Sequence, residues 1–252
     1  MANDGEPVRV AAAADLHYSG KSHGSLQDMF AQISSSADVF LLCGDLTDVG
    51  LPEEADVLVK DLTTYLKIPI IAVLGNHDFE SGKQDQVKEI LVSAGIRVLD
   101  GSFCEVHGSG FAGVKGFAGG FGRVALQPWG ETAIKQFVQE AVNEAAKLES
   151  ALAGLQTEQR VVLLHYAPIR TTVVGENIEI FPFLGSSRLE EPINQFKPAA
   201  VFHGHAHGGN PEGRTGQGVP VYNASQPVLR RAFPEKAPFR LIEIRQKKAA
   251  YA

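Results

Sequence analysis

Short apolar runs that recur along the chain set the strongest limit on how it can fold. Each run is rich in β-branched and other apolar residues and is bounded by Gly, Pro, Asp or Asn, which is typical of a buried strand. The runs are Val8–Ala14, Val39–Cys43, Pro69–Leu74, Val161–Leu164, Ala199–Phe202, Val219–Tyr222 and Phe239–Ile244. We therefore predict a strand at each of these positions.

Helical periodicity lies between several of the predicted strands. A first helix has an apolar face formed by Leu26, Met29, Phe30 and Ile33. A second begins near Pro52, where the missing N–H of proline is harmless, and its apolar face is Ala55, Leu58, Val59, Leu62 and Leu66. A third and longest helix is predicted from about Glu131 to Leu152, with Gly154 as its stop. Its apolar positions follow three-four spacing at Ile134, Phe137, Val138, Ala141, Val142, Ala145 and Leu148.

The order of these elements predicts a layered α/β architecture with two packed sheets. The first half alternates strand and helix, which indicates parallel strands with helices on the sheet faces. Residues 98–124 are rich in glycine, and the last third contains strands with little helix. A length of 252 residues favours one domain spanning 1–252, which ends in a C-terminal strand at 239–245.

The composition excludes several classes of protein. The formal net charge of −6 disfavours binding to nucleic acid through a basic surface. No apolar run approaches the roughly 18 residues of a membrane span. Asp4 and Glu6 precede the first run, where a secretory signal needs positive charge, and two cysteines do not make a disulfide framework. We therefore expect a soluble cytoplasmic protein without a membrane partner.

Metal-capable side chains follow five of the predicted strands. In chain order these residues are Asp15 and His17, then Asp45, then Asn76, His77 and Asp78, then His165, and finally His205 and His207. Taken singly, an aspartate after a strand is commonly a turn residue or a helix cap, and a lone histidine is commonly a hydrogen-bonded core residue. Ligands of open α/β sheets, however, bind beyond the carboxyl ends of the strands. Five such segments therefore predict one shared site.

The residue types at these positions indicate a pair of metal ions. Mixed Asp, Asn and His ligation suits Mn, Fe, Co or Zn better than Mg or Ca. Structural zinc would need thiolates, and Cys43 and Cys104 are too few. Seven plausible ligands are too many for one catalytic ion with open positions. They fit two divalent ions about 3.5–4 Å apart that share one bridging carboxylate.

The same residues form sequence blocks in a familiar order: D-x-H, G-D, G-N-H-D/E, a single H, and G-H-x-H. The matching pieces are Asp15-Leu16-His17, Gly44-Asp45, Gly75-Asn76-His77-Asp78, His165 and Gly204-His205-Ala206-His207. This pattern resembles the calcineurin-like metallophosphoesterase superfamily, and the resemblance spans roughly residues 8–225. It implies a four-layer α/β/β/α sandwich, with two mixed β-sheets flanked by helices.

The resemblance also implies a role for each site residue. One metal would be held by Asp15, His17 and His207. The other would be held by Asn76, His165 and His205, and Asp45 would bridge the two. His77 would lie near the leaving-group oxygen and donate a proton or stabilise transition-state charge. Asp78 would orient His77, and manganese is the ion that we expect to support activity.

The function expected from the resemblance is hydrolysis of a small phosphate ester by a metal-activated hydroxide. A phosphodiester is the preferred substrate, and similarity to bacterial cyclic-nucleotide phosphodiesterases makes 3′,5′-cyclic AMP a candidate. A phosphomonoesterase or protein phosphatase would use the same ligands. A non-catalytic scaffold of the same fold that binds another protein is a further alternative. Exposed apolar helix faces would support a homodimer.

Two further features stay open at the level of sequence. His203 lies outside the family pattern. The alternate spacing of His203, His205 and His207 would send all three imidazoles to one side of a strand, but a buried or surface histidine is the commoner case. The stretch Gly108–Gly113 matches G-x-G-x-x-G, yet the sequence after it is too rich in glycine for a helix, so we predict no dinucleotide site. The segment 116–122 is either a loop near the metal centre or a hairpin crossover.

Overall fold

The computed structural model describes residues 7–245, which form two β-sheets and seven α-helices. The strands are β1 (Val8–Ala13), β2 (Val39–Cys43), β3 (Ile70–Val73), β4 (Arg97–Val98), β5 (Ser102–Val106), β6 (Ser109–Gly113), β7 (Arg160–Leu163), β8 (Ala200–His203), β9 (Glu212–Arg214), β10 (Pro220–Asn223) and β11 (Arg240–Ile244). The helices are α1 (Gln27–Ser36), α2 (Pro52–Tyr65), α3 (Gln84–Ser93), α4 (Thr132–Gly154), α5 (Phe181–Leu184), α6 (Glu190–Phe196) and α7 (Gln226–Ala232). All seven predicted strands are present, each within one residue of its predicted bounds.

Both sheets are parallel in their centre and carry an antiparallel strand at an edge. The first sheet has the order β11-β1-β2-β3-β4, in which β11 is antiparallel to β1. The second has the order β5-β6-β7-β8-β10-β9, in which β5 and β9 are antiparallel to their neighbours. The carboxyl ends of β1, β2 and β3 therefore lie at one edge of the first sheet, and those of β7 and β8 lie at one edge of the second.

The two sheets pack face to face, and helices cover their outer faces. Successive side chains of a strand point to opposite faces. On β2, Leu41 packs between the sheets with Phe111 and Phe202, whereas Leu42 packs outward with Leu58 of α2. Helices α4 and α6 cover the outer face of the second sheet. The predicted four-layer α/β/β/α sandwich with two mixed sheets is confirmed.

The described chain is more helical than the sequence pattern predicts. Helices α3, α5, α6 and α7 have no counterpart in the prediction. Helix α3 buries only Val87 and Leu91, and so short an apolar stripe gives a weak periodic signal. Within the described residues, no helix is both long and apolar enough to cross a lipid bilayer.

Helix α4 differs from its prediction in two respects. Ile134 and Val142 belong to the predicted apolar face, but each is 40% exposed because the sheet covers a narrower stripe that includes Val138 and Leu148. The helix ends at Gly154, its predicted stop, and so extends two residues beyond the predicted Leu152. A Cβ at Gly154 would lie 2.3 Å from the ring of Phe103, so close packing accounts for the glycine.

The glycine-rich region forms a hairpin followed by a loop. Gly108 lies in the turn between β5 and β6, so the G-x-G-x-x-G match falls on a turn and a strand. The carbonyl of Lys115 then accepts hydrogen bonds from the backbone N–H groups of His165 and Tyr166. Gly120 forms a bridge with Ser186. The segment 116–122 is therefore a loop beside the strand end that carries His165.

Candidate metal centre

Five strand ends, three from the first sheet and two from the second, place their polar side chains together. Oδ1 of Asp45 lies 3.3 Å from Nε2 of His165, and Oδ2 of Asp45 lies 3.9 Å from Nε2 of His17. Nε2 of His207 lies 3.1 Å from Oδ1 of Asp15. Residues that are far apart in sequence thus form one cluster of carboxylates and imidazoles between the edges of the two sheets.

Asn76, His77 and His205 complete this cluster. Oδ1 of Asn76 is 2.9 Å from Nε2 of His165, and the ring centroid of His205 is 4.9 Å from that of His165. In three groups of side chains, the candidate ligand atoms all lie within 4.8 Å of one another. The groups are Asp15, His17 and His207; His17, Asp45 and His77; and Asp45, His165 and His205. Because His17 and Asp45 each belong to two groups, the donors form one continuous set.

Four of the candidate ligands have an uncommon backbone conformation. Their φ angles are 59° at Asp15, 44° at His17, 49° at Asp45 and 69° at His205. This left-handed region is sparsely populated by residues other than glycine. Within residues 7–245, only His107 and Lys197 are further non-glycine examples. Such conformations cost about 1–3 kcal/mol each and cluster at functional sites, where the surrounding structure enforces them.

Close approach explains the glycine that precedes two of the candidate ligands. A Cβ at Gly44 would lie 2.3 Å from Nδ1 of His165, and a Cβ at Gly75 would lie 2.2 Å from the backbone nitrogen and Oδ1 of Asp45. Neither His165 nor Asp45 can move away from such a Cβ, because both are buried in the cluster. The glycines in Gly44-Asp45 and Gly75-Asn76 therefore allow the strand ends to converge.

Backbone carbonyls determine which nitrogen is free in two of the imidazoles. Nδ1 of His165 lies 3.0 Å from the carbonyl oxygen of Cys43, and Nε2 of His205 lies 3.1 Å from that of Phe183. A carbonyl oxygen only accepts, so each of these nitrogens donates a hydrogen. In the neutral rings, Nε2 of His165 and Nδ1 of His205 are left with a lone pair for a cation. Together with carboxylate and amide oxygens, this donor set fits first-row divalent ions.

Opposite charges in the cluster stabilise one another. Burial opposes ionisation of Asp45, but the charge of His165 outweighs it, and the pKa of Asp45 is lowered. Burial also opposes protonation of His165, yet the charge of Asp45 raises the pKa of that ring to about 9. At Asp15, burial is outweighed by a hydrogen bond from His207, so the pKa of Asp15 is lowered, and the same bond raises the pKa of His207.

Burial dominates the pKa of two further imidazoles that are candidate ligands. It lowers the pKa of His205 to about 4 and holds the pKa of His17 below its ordinary value. Both rings are therefore neutral at pH 7. The neutral imidazole is the form that binds a metal ion.

His77 lies at the solvent-exposed edge of the cluster. Its side chain is 36% exposed, and its ring centroid is 4.5 Å from that of His17. Nδ1 of His77 donates to the carbonyl oxygen of Asp48 at 2.6 Å, and the carboxylate of Glu80 lies 3.6 Å from the same nitrogen. Because Nδ1 is engaged, Nε2 is the atom that is available to a substrate.

Among residues 7–245, no direct hydrogen bond from the Asp78 carboxylate to His77 supports the prediction that Asp78 orients this ring. The carboxylate of Asp78 is fully buried and accepts hydrogen bonds from the backbone N–H groups of Leu46, Thr47 and Gly75 and from the hydroxyl of Thr47. Burial raises the pKa of this carboxyl. The Asp78 side chain thus links two turns by hydrogen bonds, the one that contains Asp45 and the one that contains Asn76. His77 takes its orientation from the Asp48 carbonyl instead.

The strand-like spacing of His203, His205 and His207 does not place their rings together. Strand β8 ends at His203, and the chain then turns through the left-handed conformation of His205. His203 is fully buried, with Nδ1 2.8 Å from the carbonyl oxygen of Gly204 and Nε2 2.9 Å from the hydroxyl of Thr172. Both nitrogens are engaged, and burial lowers the pKa of the ring to about 4. His203 is therefore a buried structural residue, the commoner of its two predicted roles.

Sequence reasoning missed residues that shape the site. Besides its carbonyl contact with His77, Asp48 places Oδ1 3.9 Å from Nδ1 of His17. Its position three residues after Asp45, in the same turn, is a signal that points to it. The ring centroid of Tyr166 is 4.4 Å from that of His205, and the adjacent His165 is the only hint in the sequence. The contribution of Phe183 comes from the short helix α5, which is distant in sequence, and it has no local signal.

The family of the chain is shown by its sequence. Residues 8–209 match the family model of the calcineurin-like phosphoesterases, and the chain therefore belongs to that family. No curated protein matches the chain significantly in sequence. The chain is a metal-dependent phosphoester hydrolase, in a family that is typically dinuclear, and its His and Asp groups are able to bind metal.

Solved structures share the fold at low sequence identity. The phosphopantetheinyl hydrolase from Mycobacterium tuberculosis has a TM-score of 0.68 and 15% identity, covering 98% of each chain. TT1561 of Thermus thermophilus has a TM-score of 0.55 and 16% identity, covering 96% of this chain and 100% of its own. GAP50, the anchor in the inner membrane complex of Plasmodium, has a TM-score of 0.52 and 11% identity, covering 89% of this chain and 73% of its own.

Proposed function

We propose that the chain is a phosphodiesterase with two divalent metal ions in the cluster. One ion would be held by Asp15, His17 and His207 and the other by Asn76, His165 and His205, with Asp45 as a ligand common to both. The observation that supports this assignment best is the position of Asp45. Its carboxylate belongs to two of the three donor groups, one on the side of His17 and one on the side of His165.

The bound ions would neutralise phosphoryl oxygens and activate water for attack, and manganese is the ion that we propose for activity. We assign protonation of the leaving group to His77. The hydrogen bond from Nδ1 to the Asp48 carbonyl holds the ring in place and leaves Nε2 free. Nε2 would then donate a proton to the departing ester oxygen.

The charge of the site favours a diester over a monoester. Within residues 7–245, the guanidinium of Arg231 is engaged by the backbone carbonyls of His207 and Gly209. No Lys or Arg side chain in this range forms an ion pair or hydrogen bond with the side chains of the seven proposed ligands. Sites for the doubly charged phosphate of a monoester commonly use the forked guanidinium of arginine. A diester carries a single negative charge at phosphorus and has less need of such a group.

The test is a substrate panel on metal-free and manganese-loaded protein. We expect bis-p-nitrophenyl phosphate to be hydrolysed with a higher kcat/KM than p-nitrophenyl phosphate, no turnover in excess chelator, and recovery on addition of manganese. Full activity in excess chelator would refute the metal assignment, and a preference for the monoester would refute the diester assignment. The panel includes 3′,5′-cyclic AMP. It also includes a phosphopantetheinyl ester, because the M. tuberculosis hydrolase is named for that group.

A further inference from the structure

A row of aromatic rings begins at the metal centre and continues to the surface. The centroid of Tyr166 is 4.4 Å from that of His205, Phe117 is 5.9 Å from Tyr166, and Phe137 is 5.0 Å from Phe117. The ring of Phe183 follows at 6.3 Å from Phe137. We call the rings of Phe79, Phe117, Phe137, Tyr166 and Phe183 the aromatic shelf.

Lys115 joins Phe79 to the other rings. Its Nζ lies 5.4 Å from the centroid of Phe79, 5.0 Å from that of Phe117 and 5.2 Å from that of Tyr166. These distances are within the range of cation–π attraction. Phe79 belongs to the same helical turn as His77, the proposed proton donor. The shelf therefore adjoins the metal centre on two sides, at the turn of His77 and at His205.

The outer rings of the shelf are open to solvent. Phe79 is 40% exposed and Phe183 is 56% exposed, whereas Tyr166 is buried. A single exposed phenylalanine is ordinary in a protein surface. Phe183, however, is joined through the half-buried rings of Phe137 and Phe117 to Tyr166 and a proposed metal ligand, and Phe79 is joined to the same rings through Lys115. The Phe183 backbone also touches that ligand, because its carbonyl accepts from Nε2 of His205 at 3.1 Å.

We propose that the aromatic shelf binds an aromatic ring carried on the ester group of the substrate, an inference that rests on the proposed function. A phosphoryl group at the metal centre would hold its ester substituent beside Tyr166 and His205. Exposed phenylalanine rings bind another ring by offset or edge-to-face stacking, in a way that tolerates many ring types. The substrate class is therefore a phosphodiester with an aryl or nucleobase ring, and Phe79 and Phe183 determine this specificity.

The test compares two phosphate monoesters of equal charge, phenyl phosphate and methyl phosphate, which are of the kind that diester hydrolysis releases, as ligands of the manganese-loaded protein. We expect calorimetry to show that phenyl phosphate binds about tenfold more tightly, which is the size of effect expected for one stacked ring. Phe183→Ala and Phe79→Ala should each reduce this preference to about twofold or less. Phe103→Ala is the matched control, since Phe103 is 44% exposed on the edge strand β5, and it should keep the full preference.

The possible failures are distinguishable. Equal affinity for the two esters, or an unchanged preference in both shelf variants, would overturn the shelf proposal alone if the same protein hydrolyses bis-p-nitrophenyl phosphate. If the manganese-loaded protein neither binds these esters nor hydrolyses any diester, the proposed function fails, and the shelf proposal fails with it.

Discussion

Replacing Asp78 by asparagine measures how firmly this buried carboxylate holds the two turns of the metal centre. Oδ1 accepts from the Thr47 N–H at 2.8 Å and from the Thr47 hydroxyl at 2.6 Å, and Oδ2 accepts from the Gly75 N–H at 2.8 Å. An asparagine oxygen can keep the Thr47 bonds, but its NH₂ group then faces the Gly75 N–H. A buried N–H without an acceptor costs about 1–3 kcal/mol.

Two further effects of this substitution oppose each other. The remaining hydrogen bonds lose the assistance of a negative charge, which weakens them. The neutral amide, however, avoids the desolvation that raises the pKa of Asp78. We therefore expect Asp78→Asn to lower the free energy of unfolding by about 2 kcal/mol, which is roughly 4–8 °C in Tm for a chain of this length.

Urea denaturation followed by circular dichroism, in excess chelator, measures this loss without a contribution from bound metal. The control is Asp56→Asn on the exposed surface of α2, for which we expect a change within about 0.5 kcal/mol. A stability of Asp78→Asn equal to that of the control would refute the reasoning. Loss of turnover with stability and metal content intact would show instead that Asp78 acts on His77, as the sequence suggested.

Three other perturbations address the metal centre itself. His77→Ala should keep both metals by elemental analysis while turnover falls by about 10²–10⁴-fold, the range for loss of a general acid; equal loss of metal would make His77 a ligand. Asp45→Asn should weaken both metal positions by at least about tenfold in a manganese titration, and loss of one ion alone would contradict the bridging role. The pKa of His165 is raised from its ordinary value of 6.5 to about 9. In the metal-free protein, this ring therefore stays protonated and positively charged between pH 6.5 and pH 9, where an ordinary histidine would be neutral. Metal uptake at pH 7.5 should therefore release that proton, as measured by calorimetry in buffers of different ionisation enthalpy, whereas uptake above pH 9.5 should not.

Much of the fold follows from local sequence because the central strands of its sheets are buried on both faces. Runs such as Val39–Cys43 contain no alternating polar residues, and all residues of that strand are buried in the structure. The amphipathic pattern fails where burial is slight. Helix α3 rests on Val87 and Leu91, and the outer positions Ile134 and Val142 of α4 are apolar although solvent reaches them. Periodicity predicts an apolar stripe, but the neighbouring elements decide how wide a stripe they cover.

The sequence by itself determined which residues are candidate ligands, because they follow strands in short blocks such as Gly44-Asp45 and Gly75-Asn76. The resemblance to the family then implied how these residues would share two ions. The tertiary structure decided what each remaining polar group does. His203 lies two residues from His205, yet Thr172 from another loop engages its ring, and Asp78 serves the Thr47 turn rather than its neighbour in sequence. The aromatic shelf likewise joins rings from five separate segments. Such roles depend on which distant donors and rings the packing of two sheets brings within a few ångströms, and the local sequence carries no record of those distances.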